Sequence, residues 1–159
     1  MTSKKRVVLI TGAESGIGKS TSKIFLDNGY KVICTYLKNN NNKNTKDIEY
    51  HRIDITKNED WENLALYIKK KFKKIDVLVN SAGVRLSGNL ETTSMSDWSY
   101  HLNNNVTGTF LACKYILPFL KKAKNSSIIN VASINSIRGA KNMLAYATSK
   151  SAVISFTAS

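Results

Sequence analysis

Apolar positions along this chain fall into short runs that alternate with helical stripes. Val7, Val8, Leu9 and Ile10 are four consecutive apolar residues, the mark of a strand buried on both faces. After Gly12, Gly16 and Gly18, residues 19–26 gather their apolar side chains as on one helical face. The alternation then repeats. Residues 30–36 predict a second strand, 49–53 a third, 75–79 a fourth and 127–132 a fifth. Between the third and fourth, Asn58-Glu59-Asp60 opens a helix that carries Trp61, Leu64, Ala65, Ile68 and Phe72 at helical spacing. Ser96-Asp97 is expected to cap the next helix, and residues 106–122 form a long apolar helix that Pro118 should kink. Residues 142–159, rich in Ala, Ser and Ile, predict a last helix, while the polar stretch 37–46 has nothing to bury and reads as a loop.

Strands alternating with helices imply a parallel sheet covered on both faces, so residues 1–159 are expected to form one three-layer, doubly wound α/β domain of the Rossmann type. Ligands in such sheets bind beyond the C-terminal ends of the strands. Every unusual cluster in this chain falls at such an end. Thr11-Gly12 follows the first strand, Tyr36 to Lys38 the second, Asp54 the third, Asn80 to Gly83 the fourth and Ser133 the fifth. Five loops therefore point at one crevice. In the first of them, Gly12 permits a tight turn, Gly16 a close approach of backbone to a phosphate, and Gly18 close packing of helix on strand. The helix that follows offers unpaired N–H groups and a positive dipole end to an anion. The alternative is that these glycines do no more than make a tight strand-to-helix turn.

Composition changes the picture in one respect. The net charge is +13, which raises nucleic acid or an anionic membrane as partners. The lysines are scattered apart from a dense run at 69–74, and no acid follows Asp97. They are taken as solvated surface, with no nucleic-acid partner expected; a single continuous lysine stripe on the folded surface would mark a polyanion-binding role. No apolar run approaches the roughly 20 residues that span a bilayer, so a soluble, cytoplasmic protein without a membrane partner is expected. Cys34 and Cys113 are far apart, and neither they nor His51 and His101 show metal-ligand spacing, so no metal is expected.

Tyr146 and Lys150 lie four residues apart, on one face of the last helix. A free tyrosine has a pKa of about 10, and a neighbouring cation favours its phenolate, so this spacing makes an acid/base unit. An isolated pair of this kind is otherwise an ordinary surface tyrosine beside a surface lysine. Ser133, at the mouth of the preceding strand, supplies a hydroxyl able to hold a carbonyl oxygen on which charge develops.

These residues together carry a family likeness. Thr11-Gly12-Ala13-Glu14-Ser15-Gly16-Ile17-Gly18, Asn80-Ser81-Ala82-Gly83, Trp98 with Asn105-Val106-Thr107-Gly108, and Ser133 followed thirteen residues later by Tyr146 and then Lys150 resemble the motifs of the short-chain dehydrogenase/reductase family over nearly the whole chain. Ser81 stands where the family carries a second asparagine. The resemblance implies an NAD(P)-dependent oxidoreductase moving a hydride between nicotinamide and a carbonyl or alcohol substrate. Tyr146 would then be the acid/base, Ser133 the holder of the substrate oxygen, Lys150 the partner of the nicotinamide ribose, and Asn105 the anchor of a water in a proton relay. It also implies cofactor contacts from Gly12, Ser15, Gly16, Ile17, Gly18, Tyr36, Lys38, Asp54, Ile55, Asn80, Ala82 and Gly83, besides Tyr146 and Lys150. Asp54 and Asn105 are open to simpler roles as caps of a turn and of a helix bend.

Tyr36 occupies the position where an acid would bind a ribose 2′-hydroxyl, and Lys38 follows it. NADP is therefore favoured over NAD, with Lys38 as phosphate partner, although Ser15 stands where many NADP-preferring relatives carry Arg or Lys. Relatives often pair through the helices after the fourth and fifth strands, so a homo-oligomer is expected. The sequence ends nine residues after Lys150, short of the family's usual length. By comparison it lacks the sixth strand, the substrate-covering loop and the last strand, which leaves the fifth strand as a sheet edge. The alternative to an active oxidoreductase is a catalytically silent dinucleotide-binding fragment.

Overall fold

A computed structural model describes residues 5–38 and 43–159; residues 39–42 of the expected polar loop lie outside the described residues. Strands β1 (Val7–Thr11), β2 (Lys31–Tyr36), β3 (Ile48–Arg52), β4 (Val77–Asn80) and β5 (Ser127–Asn130) form one sheet in the order β3-β2-β1-β4-β5. All four pairings are parallel, with Leu9 opposite Ile33 and Leu78, and Leu78 in turn opposite Ile128. Helices α1 (Gly16–Asp27), α2 (Asn58–Lys71), α3 (Met95–His101), α4 (Gly108–Leu120), α5 (Asn135–Arg138) and α6 (Leu144–Ala158) follow the strands as the alternation requires.

The period-two arrangement of the strands divides the core between the two faces of the sheet. Leu9, Ile33 and Leu78 pack with Trp61, Leu64 and Ile68 of α2 and with Leu111, Ile116 and Phe119 of α4. Val8, Ile10, Val32 and Val79 point the other way, with Phe25 and Leu26 of α1 against them. Central strands are buried throughout, whereas Ile128 and Ile129 of the edge strand β5 are 40% and 47% exposed. Cys34 is buried in the sheet, and burial pushes its thiol up to about 12, against the smaller lowering by Ser22; it is a packing residue.

Two boundaries differ from expectation for reasons that lie in tertiary structure. The helix α3 is capped by Ser94, whose hydroxyl accepts from the Asp97 amide, and not by Ser96-Asp97. The long apolar helix begins at Gly108, preceded by a π-helical turn over Leu102–Thr107, and Pro118 falls in its last turn, so its missing N–H costs little continuity.

A buried polar cluster ties β3 to α2. Glu49 pairs with Lys71 at 2.6 Å and accepts from the Tyr67 hydroxyl, with His51 3.7 Å away and its ring against Tyr67. Burial raises the Glu49 carboxyl, but the bonds from Lys71 and Tyr67 outweigh it and hold the group below its usual range; burial lowers His51. Both depressed values act in the same direction. The unfolded chain takes up protons before the folded one does, so stability present above about pH 6.5 is lost as the pH falls through the His51 range and then the Glu49 range. Thermal melts of His51→Phe are expected to lose the part of this decline between pH 7 and 5.5 while keeping the part below pH 4.5.

Candidate active site

The C-terminal ends of the strands enclose a cleft of about 610 Å³. Its floor is the glycine turn: Gly12, Glu14, Ser15, Gly16 and Ile17 line it, with Thr35 to Lys38 after β2, Ile53 and Ile55 after β3, and Ser81 to Val84 after β4. Tyr100 and Asn104 close the far wall. Four of the five expected loops therefore reach one cavity.

Local forces fix each wall. Gly12 has φ +66°, and a Cβ there would stand 2.7 Å from the Ala82 Cα, so glycine is demanded both by conformation and by space. Thr11 supports the same contact, its hydroxyl oxygen accepting from the Ser81 and Ala82 amides at 3.1 and 3.0 Å. A Cβ on Gly18 would meet the Gly12 carbonyl oxygen, which is the close helix-to-strand packing expected of that position. Gly16 differs. Its φ is +50° and nothing lies within 4 Å of a Cβ built there, so the space above it opens into the cleft at the N-terminus of α1. The first-turn N–H groups of that helix, without an acid in the turn, are suited to an anion.

Of the residues singled out in the sequence, Gly12, Ser15, Gly16, Ile17, Tyr36, Lys38, Ile55, Ala82 and Gly83 line the cleft. Gly18 packs beneath it. Asp54 faces its own turn, accepting from the Thr56 amide and hydroxyl at 3.0 and 2.7 Å. Asn80 is buried and donates to Asn130 Oδ1 at 2.8 Å and to Cys113 Sγ at 3.3 Å, linking β4 to β5 and α4.

Asn105, Ser133, Tyr146 and Lys150 do not line the cleft themselves; Asn105 and Lys150 lie behind its wall at Gly83. A Cβ there would lie 2.9 Å from Asn105 Oδ1 and 3.4 Å from Lys150 Nζ. Asn105 is wholly buried in the π-helical turn; its Oδ1 accepts from the Val84 amide at 2.8 Å, and its Nδ2 donates to the Val84 carbonyl and to Ser149 Oγ at 3.0 and 2.9 Å. One side chain thus pins the β4 loop to α6, which accounts for the widened turn. Lys150 is 6% exposed and donates to the Val131 carbonyl at 2.7 Å; burial lowers its pKa. Tyr146 lies one turn before it on α6, half-buried, with its ring 6.4 Å from that of His101. Ser133 follows β5, and its Oγ accepts from the Asn135 amide at 3.2 Å.

Three contributors were not singled out as site residues. His101 is buried, with Nε2 accepting from the Leu86 amide at 2.9 Å and Nδ1 2.7 Å from the Asp97 carbonyl, so the neutral ring carries its proton on Nδ1 and fastens the β4 loop. Ser149 relays Asn105 to the Tyr146 carbonyl, to which it donates at 2.7 Å. Glu14 lines the cleft, its Oε1 accepting from the Leu37 amide at 3.3 Å and its Oε2 buried without a partner. Only Glu14 left a sequence signal, an acid between the glycines of a phosphate-type turn. Among the described residues no cluster of ligating side chains could hold a metal, and no helix is long and apolar enough to cross a membrane.

Comparison with known proteins agrees with this geometry. The family model described as short chain dehydrogenase matches residues 6–159. The chain is 33% identical to a 3-oxoacyl-[acyl-carrier-protein] reductase FabG of Thermotoga maritima over 96% of its own length and 65% of the relative's. It is 35% identical to dehydrogenase/reductase SDR family member 6 of Aquarana catesbeiana over 97% of its length and 63% of that protein. The chain therefore spans a little under two thirds of these relatives. Among solved structures, the ligand-free aldohexose dehydrogenase of Thermoplasma acidophilum superposes with a TM-score of 0.90 at 33% identity, covering 97% of this chain and 59% of that one. ElxO with NADP bound superposes with a TM-score of 0.85 at 33% identity, covering 96% and 65%.

Proposed function

This chain belongs to the short chain dehydrogenase family, and on that premise we propose that it is the cofactor-binding and proton-transfer part of an NAD(P)-dependent oxidoreductase acting on a carbonyl or alcohol. The observation that carries the proposal is the open space over Gly16 at the α1 N-terminus, in the same cleft whose wall at Gly83 meets Asn105 and Lys150. That space fits a pyrophosphate, and a relative of the same fold has NADP bound. When bound, a nicotinamide dinucleotide would supply the hydride.

The chain's own residues do the rest. Tyr146 gives its hydroxyl proton to the oxygen of the carbonyl being reduced and takes it back in the oxidative direction. Ser133 holds that oxygen by a hydrogen bond. Lys150 places a positive charge one turn from Tyr146 and, through its remaining protons, holds ribose hydroxyls. Its bond to the Val131 carbonyl ties α6 to the end of β5, and the Asn105–Ser149 bridge ties α6 to the π-helical turn that holds the β4 loop. Ser15, Ile17, Tyr36, Ile55, Ala82 and Gly83 form the contact surface for the cofactor. The exposed Phe110 and Leu117 of α4 support pairing of two copies through that helix.

The 2′ end of the site has two opposed charges. Lys38 favours a 2′-phosphate, whereas Glu14 on the adjoining floor, bonded to the Leu37 amide, suits ribose hydroxyls. With Lys38 as the phosphate partner, the reading is NADP. Lys38→Glu is expected to weaken NADPH by about 10- to 100-fold, the equivalent of one charge-assisted bond, and NADH by less than about threefold. Equal small effects on both dinucleotides would remove Lys38 from the role.

A further inference from the structure

At the N-terminal ends of the strands, remote from the cleft, the chain gathers its cations. The last turn of α2 ends in Lys69, Lys70 and Lys71, followed by Lys73 and Lys74; the end of α4 leads into Lys121, Lys122 and Lys124. Both helices lie on one face of the sheet, and the Ile75 amide donates to the Phe119 carbonyl at 3.2 Å, so the two lysine clusters are neighbours. Arg6 extends the group, donating to the Asn125 carbonyl at 3.0 Å.

The acids at this end are consumed internally. Asp76 is buried and paired with Lys74 at 2.7 Å and Arg6 at 3.8 Å, Glu49 takes Lys71, and Asp47 takes Lys5 at 2.9 Å. Asp27 ends α1 on the other face of the sheet. Among the described residues Lys69, Lys70, Lys73, Lys121, Lys122 and Lys124 make no ion pair, and all six are exposed. Two lysine clusters separate in sequence are therefore brought to one end of the fold with these charges unpaired.

We propose that this face binds the phosphate backbone of duplex nucleic acid without regard to sequence. The apolar residues set between the lysines, Phe72, Ile75, Phe119 and Leu120, are buried, and the exposed Leu66 and Leu117 lie one turn before Lys70 and Lys121. Among the described residues no exposed aromatic lies between these lysines to stack on an unpaired base, so phosphate contact is the mode of binding that the charge favours. Strand β1 separates it from the cleft by about 16 Å, so both ends can be occupied together. The inference does not depend on the hydride-transfer reading.

The test is fluorescence anisotropy of a labelled mixed-sequence duplex titrated with the 159-residue chain between 50 and 200 mM salt. If five lysines each neutralise a phosphate, affinity falls with a log–log slope of about −4.5, roughly 500-fold over that range. Replacing Lys69, Lys73, Lys121 and Lys124 by Gln should flatten the slope by up to about 3.6, with an unchanged melting temperature. Replacing the exposed Lys23, Lys57, Lys114 and Lys141 by Gln removes the same charge from elsewhere and should leave the slope within about 1 of the original. Equal losses in the two variants, no saturable binding at 50 mM salt, or binding to phosphatidylserine vesicles without binding to the duplex would each overturn the proposal. Displacement of the duplex by NADPH would do the same.

Discussion

Tyr146→Phe is expected to lower carbonyl turnover by about 10²- to 10⁴-fold while changing NADPH affinity by less than about twofold. The phenyl ring can keep the edge-on packing against His101 and the backbone link through Ser149, so the substitution removes the hydroxyl proton and little else. The assay is dinucleotide oxidation against a panel of ketones and aldehydes, compared in the two proteins at matched cofactor saturation. Lys150→Ala separates the roles further. Lys150 is tied to the Val131 carbonyl and borders Gly83, so its loss should weaken cofactor binding and turnover together. A Tyr146→Phe protein with unaltered turnover would move the acid/base role elsewhere.

Gly12→Val is expected to act on the fold itself. A β-branched residue at φ +66° costs roughly 1–2 kcal/mol in conformation. The clash of its Cβ with the Ala82 backbone, 2.7 Å away, adds roughly 1–3 kcal/mol. For a chain of this size, a total of about 3 kcal/mol lowers the melting temperature by roughly 10 °C. Gly16→Ala is the complementary case. Its positive φ carries the same conformational cost, but the added methyl meets no protein atom and enters the cleft. Its stability loss should be the smaller of the two, and its effect on dinucleotide affinity the more specific. Calorimetric melts paired with cofactor titrations distinguish them.

The glycine turn was legible because part of its demand is local: Gly18 is called for by the Gly12 backbone six residues away and Gly12 by its own positive φ, while the Ala82 contact at Gly12 comes from the β4 loop that the strand order brings alongside. The buried strands were legible for a similar reason, since central parallel strands are apolar on both sides. The π-helical turn was not. Asn105 sits there because its amide grips Val84 and Ser149, 21 and 44 residues away, and no periodicity records such a contact. His101 was equally silent, as a lone histidine on a short helix shows its loop-fastening bond only once Leu86 has been folded against it. Ser94 outcompeted Ser96 as a cap because its hydroxyl meets the Asp97 amide in the observed turn, a choice between two similar residues that spacing alone leaves open. The basic face needed the fold as well, because residues 69–74 and 121–124 become neighbours only when α2 and α4 pack side by side.

The most direct measurement is a fluorescence titration of the 159-residue chain with NADPH and with NADH, with a thermal shift recorded alongside. The account predicts saturable binding of at least one dinucleotide. It also predicts stabilisation of about 2.7 kcal/mol at a hundredfold excess over Kd, and loss of that binding in Gly16→Ala. A folded chain that binds neither dinucleotide, or one whose binding survives Gly16→Ala unchanged, would contradict the assignment of the cleft.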